Sequence, residues 1–169
     1  VLVNDVAGLR FDPLLAKTVA EAGVEVLIGH ARGTPDVMQQ DPRYDDVIQE
    51  VGDELAASVA LAEAAGIARE RISVDPGIGF GKRLEDNLAL LARVGELRER
   101  LALPVCVGPS RKSMFAALMQ ADPTDRDPAT HAACAIAVYE GADAVRVHDV
   151  AGAAQAVAVG RALRGERAS

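Results

Sequence analysis

A chain of 169 residues fits one domain, and at that size about 70 % of the unfolded surface is buried if the fold is complete. Of its residues 50 % are hydrophobic but only 3 % aromatic, so the core must be Ala, Val, Leu and Ile, the filling of helix-covered parallel sheets. The net charge of −7 argues against nucleic acid or an acidic membrane as a partner, because both need a basic face.

Apolar runs of strand length alternate with helical patterns along the chain. Residues 1–3 read as a strand and 12–22 as the helix after it, stopped at Gly23. A second strand over 24–28 leads through a polar loop into a long helix over 44–65, stopped at Gly66. A third pair is the strand 71–74 and a helix over 84–101. The fourth is the strand 103–107 and a helix over 127–140, where Asp127 and Pro128 make a good N-cap and first-turn pair and Gly141 is the stop. The last is the strand 144–147 with a helix over 151–165. Five β-α units without a long linker predict parallel strands joined by right-handed crossovers in one continuous domain, residues 1–169. Two α/β architectures compete: an open flavodoxin-like sheet, or five-eighths of a TIM (β/α)8 barrel, which usually needs about 250 residues.

No apolar run approaches the roughly 18 residues of a membrane span, and no basic segment followed by an apolar stretch opens the chain. Cys106 and Cys134 are too few for a disulfide scaffold, and with His30, His131 and His148 they show no paired zinc spacing. A reducing cytoplasm is the simplest setting. The chain lacks an initiator Met and begins inside a strand pattern, so upstream sequence is expected.

Each strand pattern ends in residues that can do chemistry: Asn4 and Asp5; His30 and Arg32; Asp75; Ser110, Arg111 and Lys112; Arg146, His148 and Asp149. In a barrel those ends converge on one mouth, whereas an open sheet binds mainly at its switch point, so the barrel is favoured. After Asp75 comes Pro76-Gly77-Ile78-Gly79-Phe80-Gly81-Lys82, a glycine loop with one aromatic ring. Glycine permits close backbone approach and φ above zero, and Phe80 offers a flat apolar face, which suits a planar ligand held by its edge. The P-loop template fails because Pro76 stands at its first glycine and Arg83 at its Ser/Thr, and the dinucleotide fingerprint fails at Lys82. Alternation sends Arg146 and His148 to the same face, as an anion clamp. The loop from Gly108 to Ser113 places Ser110, Arg111 and Lys112 immediately before a helix, where an anion can be held. His30 is as often structural as functional, and Asn4 can donate to and accept from a heterocycle edge or simply cap a turn.

These segments, together with Val3-Asn4-Asp5-Val6 and His30-Ala31-Arg32-Gly33-Thr34-Pro35 with Met38-Gln39, resemble those of the dihydropteroate synthases over essentially the whole chain. The resemblance implies a pterin-binding TIM barrel that joins 4-aminobenzoate to 6-hydroxymethyl-7,8-dihydropterin diphosphate, releasing diphosphate, in folate synthesis. It also implies a sulfonamide target, Mg2+ as cofactor and a homodimer. Asp75 is then similar to the carboxylate that pairs with the pterin edge, and Asn4 to its amide partner. Lys112 corresponds to a lysine that touches the pterin, Ser113 lies near the aminobenzoate carboxylate, and Gly79, Phe80 and Gly108 line the pocket. Arg146 and His148 correspond to the diphosphate-binding pair.

The family's first three β-α units, with its metal-linked Asn, have no counterpart here, so the chain is expected to be a C-terminal fragment of about five units and to contain no metal ligand. Gly29 stands where the family usually has a bulky apolar residue, and weaker pterin binding, on the order of 1–3 kcal/mol, is the expected effect. Two alternatives stay open: a methyltetrahydrofolate-dependent corrinoid methyltransferase-like barrel, which needs no diphosphate clamp, and a non-catalytic pterin-binding remnant.

Overall fold

A computed structural model describes residues 1–34, 36–38, 40–119, 122 and 125–168; Pro35 and Gln39 of the second loop motif lie outside the described residues. Strands β1 (Leu2–Asp5), β2 (Glu25–Gly29) and β3 (Ile72–Asp75) pair in parallel and in sequence order. Strands β4 (Cys106–Val107) and β5 (Ala144–Val145) form a second parallel pair, and a bridge between Val74 and Val105 joins the two sets. The order is therefore β1-β2-β3-β4-β5. A flavodoxin-like sheet would place its second strand outside the first, so that reading is set aside.

Sequential parallel strands with right-handed crossovers put successive helices on one face. Those helices are α1 (Leu15–Ala22), α2 (Val47–Ala64), α3 (Leu84–Ala92), α4 (Val94–Leu101), α5 (Ser113–Met119), α6 (Asp127–Glu140) and α7 (Val150–Ala168). They meet as a layer, α1 on α2, α2 on α3 and α4, α3 on α5 and α6, and α6 on α7. Val26, Ile28, Val74, Val105 and Val107 belong to the same buried cluster as Val51 and Leu55 of α2, Leu90 of α3 and Leu97 of α4. By strand alternation and register the other face carries Asn4, Leu27, Ser73, Asp75, Cys106 and Ala144. That second face is where the site is built.

Three sequence expectations change. The helix over 84–101 is two helices that turn at Arg93 (φ −123°, ψ 24°), whose guanidinium holds Glu96 at 2.7 Å. Gly95 then packs directly on the Glu140 carbonyl at the end of α6. Asp127 is the first residue of α6 rather than its N-cap, which is Arg126, because its carboxylate is taken by Arg111. The fourth unit carries two helices, α5 as well as α6. The Ala-rich faces of α6 and α7 pack on each other, with Gly160 against the Ala135 backbone.

Candidate active site

Asp75, at the end of β3, is 4 % exposed. Its Oδ1 accepts the Gly77 amide at 2.8 Å, and its Oδ2 faces Arg146 Nη2 at 3.4 Å. Burial pushes the carboxyl pKa up, and the Gly77 N–H and the Arg146 charge oppose that rise. Gly108 makes the pairing with Arg146 possible, since a Cβ there would sit 2.8 Å from the guanidinium and 3.5 Å from the carboxylate. A buried carboxylate with one partly satisfied oxygen is a ready acceptor for a ligand's N–H edge.

Beside it, the glycine loop presents Phe80 beneath Lys112, whose Nζ lies 3.8 Å from the ring centroid. The Lys112 stem crosses Gly79, where a Cβ would come within 3.0 Å of Cδ. Burial lowers the Lys112 pKa, aided by Arg146 and opposed by Asp75. Asn87 of α3 supports the loop from behind, accepting the Gly79 amide at 2.7 Å while donating to the Arg83 carbonyl at 2.7 Å.

Gly108, Ser110, Arg111, Lys112, Arg146 and His148 line a pocket of about 320 Å³. Ser110 Oγ accepts the His148 amide at 3.2 Å and lies 2.7 Å from His148 Nδ1. Its hydroxyl proton can then go to Nδ1, which leaves the imidazole proton on Nε2 as a donor. Arg111 takes the left-handed φ of 57° and spends its guanidinium on Asp127, at 2.9 and 2.8 Å. Of the two cations read in this loop, Lys112 is thus the one that reaches Phe80.

Asp75, Gly79, Phe80, Gly108, Lys112, Arg146 and His148 therefore come together. Asn4 is exposed and level with Leu27 and Ser73, one pleat short of Asp75 on the same face. Ser113 is exposed at the first residue of α5. Gly29 has a reason of its own: a Cβ there would stand 2.8 Å from the Asp5 carbonyl oxygen and 2.9 Å from Val6 Cα. Backbone, not an open pocket wall, occupies that space. Among the described residues no group of three His, Cys, Asp or Glu side chains is placed to hold a metal ion together.

Sequence reasoning gave no role to the cluster under the loop. His30, 1 % exposed, has Nδ1 at 2.8 Å from Lys82 Nζ and Nε2 at 3.1 Å from Glu54 Oε2. Glu54 also binds Arg32, whose guanidinium reaches Glu50 at 2.9 Å and stacks 3.9 Å over Tyr44. Tyr44 in turn donates to the Gly81 carbonyl at 2.9 Å. Glu50 and Glu54, one turn apart on α2, were the available signal for a cation site.

The sequence model of the family described as pterin binding enzyme matches residues 1–148. The chain belongs to that family. Among relatives of this chain, the dihydropteroate synthase of Escherichia coli K12 is 41 % identical over 158 residues, 94 % of this chain and 55 % of the relative. A crystal structure of the Yersinia pestis dihydropteroate synthase with a sulfonamide drug complex superposes with a TM-score of 0.92 at 36 % identity, over 97 % of this chain and 59 % of that one. The Thermus thermophilus dihydropteroate synthase in complex with 6HMPPP gives 0.88 at 41 % identity, over 96 % and 64 %. The chain thus shares the family's α/β barrel fold while spanning little more than half the length of the curated relative.

Proposed function

We propose that this chain is the C-terminal part, residues 1–169, of the single barrel domain of a dihydropteroate synthase, contributing about five β-α units. The reaction is condensation of 6-hydroxymethyl-7,8-dihydropterin diphosphate with 4-aminobenzoate to give 7,8-dihydropteroate and diphosphate. The observation that carries the reading is the buried Asp75 carboxylate set beside Phe80 and Lys112 at one end of a wall whose other end is the Ser110, Arg146 and His148 pocket. One planar, edge-bonding group and one attached anion fit that wall in a single pose.

In that pose Asp75 accepts from the amino-pyrimidine edge, with Asn4 as its amide partner, and Phe80 stacks on the ring. Gly79 and Gly108 let the Lys112 stem and the Arg146 guanidinium lie close against the loop backbone beside the bicycle. Arg146 and His148 take up charge as the bond to the diphosphate breaks, and Asp75 steadies the cationic pterin that remains. Lys112 and Ser113 frame the site of the 4-aminobenzoate, whose amine attacks the cationic carbon after diphosphate has left and then gives up a proton. Mg2+ accompanying the diphosphate would neutralise its charge, and by the family resemblance its protein ligand belongs to the N-terminal units that have no counterpart in this chain.

No helix among the described residues is long and apolar enough to cross a membrane. The two free cysteines suit a reducing cytoplasm, and the acidic charge opposes a nucleic-acid partner. The homodimer reading is supported by the exposed Leu88, Leu118 and Ile136 along an apolar groove of about 490 Å³ between α3, α5 and α6. Sedimentation analysis checks it, and a monomer at all concentrations would end it. The function is tested by calorimetric titration with 6-hydroxymethyl-7,8-dihydropterin diphosphate, wild type against Asp75→Ala. Binding that the variant loses is the expected result; equal heats from both chains would remove Asp75 from the site.

A further inference from the structure

Lys82 is 4 % exposed, and an ammonium so deep in a protein is costly unless its charge has a use. Its Nζ donates to the Phe80 carbonyl at 3.1 Å and to His30 Nδ1 at 2.8 Å. An ammonium only donates, so Nδ1 is the acceptor, and the imidazole proton lies on Nε2, donated to Glu54. Burial lowers the His30 pKa to about 4, which keeps the ring neutral for this role. The same Nζ passes beneath Gly77, 3.4 Å from the place of a Cβ on that residue, and the Gly77 amide is the one that holds Asp75 Oδ1.

We infer that Lys82 is a positioning residue that acts through the Gly77 turn and by its positive charge to hold the Asp75 carboxylate ionised and aimed, with His30 and Glu54 locking Lys82 in place. The charged groups around Lys82 are Asp75 from β3, Glu54 from α2, Arg32 from the loop after β2 and Asp86 from α3. Around Asp75 they are Arg146, Lys82 and Lys112, and the Cys106 thiol beside it is kept neutral by burial, which pushes its pKa up to about 12. Burial pulls the Lys82 pKa down to about 7, and the field that most opposes this is that of Asp75. On Asp75 itself the Gly77 amide and the Arg146 charge come before the Lys82 charge, so the geometry at the Gly77 turn carries the link between the two groups. A lysine that merely filled space could be Met at lower cost, since the stem would pack as well and no charge would need burying.

The role of Asp75 as a pterin acceptor rests on the function proposed above, but the electrostatic claim is read without ligand. The carboxyl carbon of Asp75, labelled with ¹³C, is titrated by NMR in the 169-residue chain as wild type, Lys82→Met and Lys82→Arg. The Asp75 midpoint is expected to rise by about one pH unit or more in Lys82→Met and to stay near wild type in Lys82→Arg, whose charge is permanent. Calorimetry with 6-hydroxymethyl-7,8-dihydropterin diphosphate across the same pH range is expected to show the acid loss of binding displaced upward by the same amount in Lys82→Met alone. An unmoved Asp75 midpoint in a cooperatively melting Lys82→Met overturns the inference. If that variant does not fold, a Lys82→Gln chain is titrated in its place with the same criterion. A displaced midpoint in chains that bind no pterin would uphold the Lys82 and Asp75 coupling and overturn the pterin reading instead.

Discussion

Replacing Asp75 with Asn keeps the shape of the side chain and removes only its charge and one acceptor. Hydrogen bonds to a charged group contribute about 1.5–3 kcal/mol, so Asp75→Asn is expected to weaken pterin diphosphate binding roughly 10- to 100-fold, measured by calorimetry. His30 gives a pH prediction. Burial lowers its pKa from the ordinary 6.5 to about 4, so between those values the unfolded chain takes a proton that the folded chain refuses. Stability is therefore complete above pH 6.5 and falls as pH drops toward 4, by about 3 kcal/mol. Glu54, held down to about 2 first by its His30 hydrogen bond, adds a further acid loss below its ordinary 4.5. Urea midpoints measured across this range should drop steadily in wild type, and His30→Gln should flatten the segment between 6.5 and 4. At this scale chain order alone places Asp75, Lys112, Arg146 and His148 at strand ends, where the structure brings them together, because a strand end announces its residue. Glu54 and Lys82 were not legible, since nothing local says that a helix carboxylate and a loop lysine will meet across one histidine.

The elements show where periodicity runs out. The apolar pattern over 84–101 continues through Arg93 because both halves bury the same side, Leu90 and Leu91 before the turn and Val94, Leu97 and Leu101 after it. Without Pro, the turn left no mark in the sequence; the Gly95 contact with the Glu140 carbonyl and with Gly141 needs the helix to change direction. Gly95→Ala is expected to cost about 1–3 kcal/mol by overpacking, although Ala favours a helix, and a chemical denaturation curve would show it as a lower midpoint. Gly77 makes a parallel case in the loop: its φ of 71° and the His30 carbonyl packed against it exclude a side chain. Gly77→Ala should therefore reduce pterin affinity more than it reduces helix content by circular dichroism, because the displaced group is the amide that holds Asp75.

Across the whole molecule, β3 and β4 are joined by one bridge, at Val74 and Val105, with the Val74 amide on the Pro104 carbonyl at 3.0 Å. The helical layer must carry that seam. Leu90 and Leu97, both 0 % exposed in the shared core, sit in the helices that span it. Leu97→Ala is expected to cost about 2–5 kcal/mol and to lower one transition seen alike by circular dichroism and by tyrosine fluorescence; two separated transitions would show that the sheet halves fold apart. The sequence by itself determined the number and order of the β-α units, the aliphatic core and the arming of the strand ends, because these follow from periods of 2 and 3.6 residues and from what each side chain can do. Only the tertiary structure decided that the strands run in sequential order, that the Arg111 guanidinium at the pocket's edge is paired with Asp127, that Gly29 lies against the β1 backbone, and that Lys82, His30 and Glu54 form a cluster under the glycine loop. Those facts depend on distances between residues far apart in the chain, which close packing sets and no local pattern encodes.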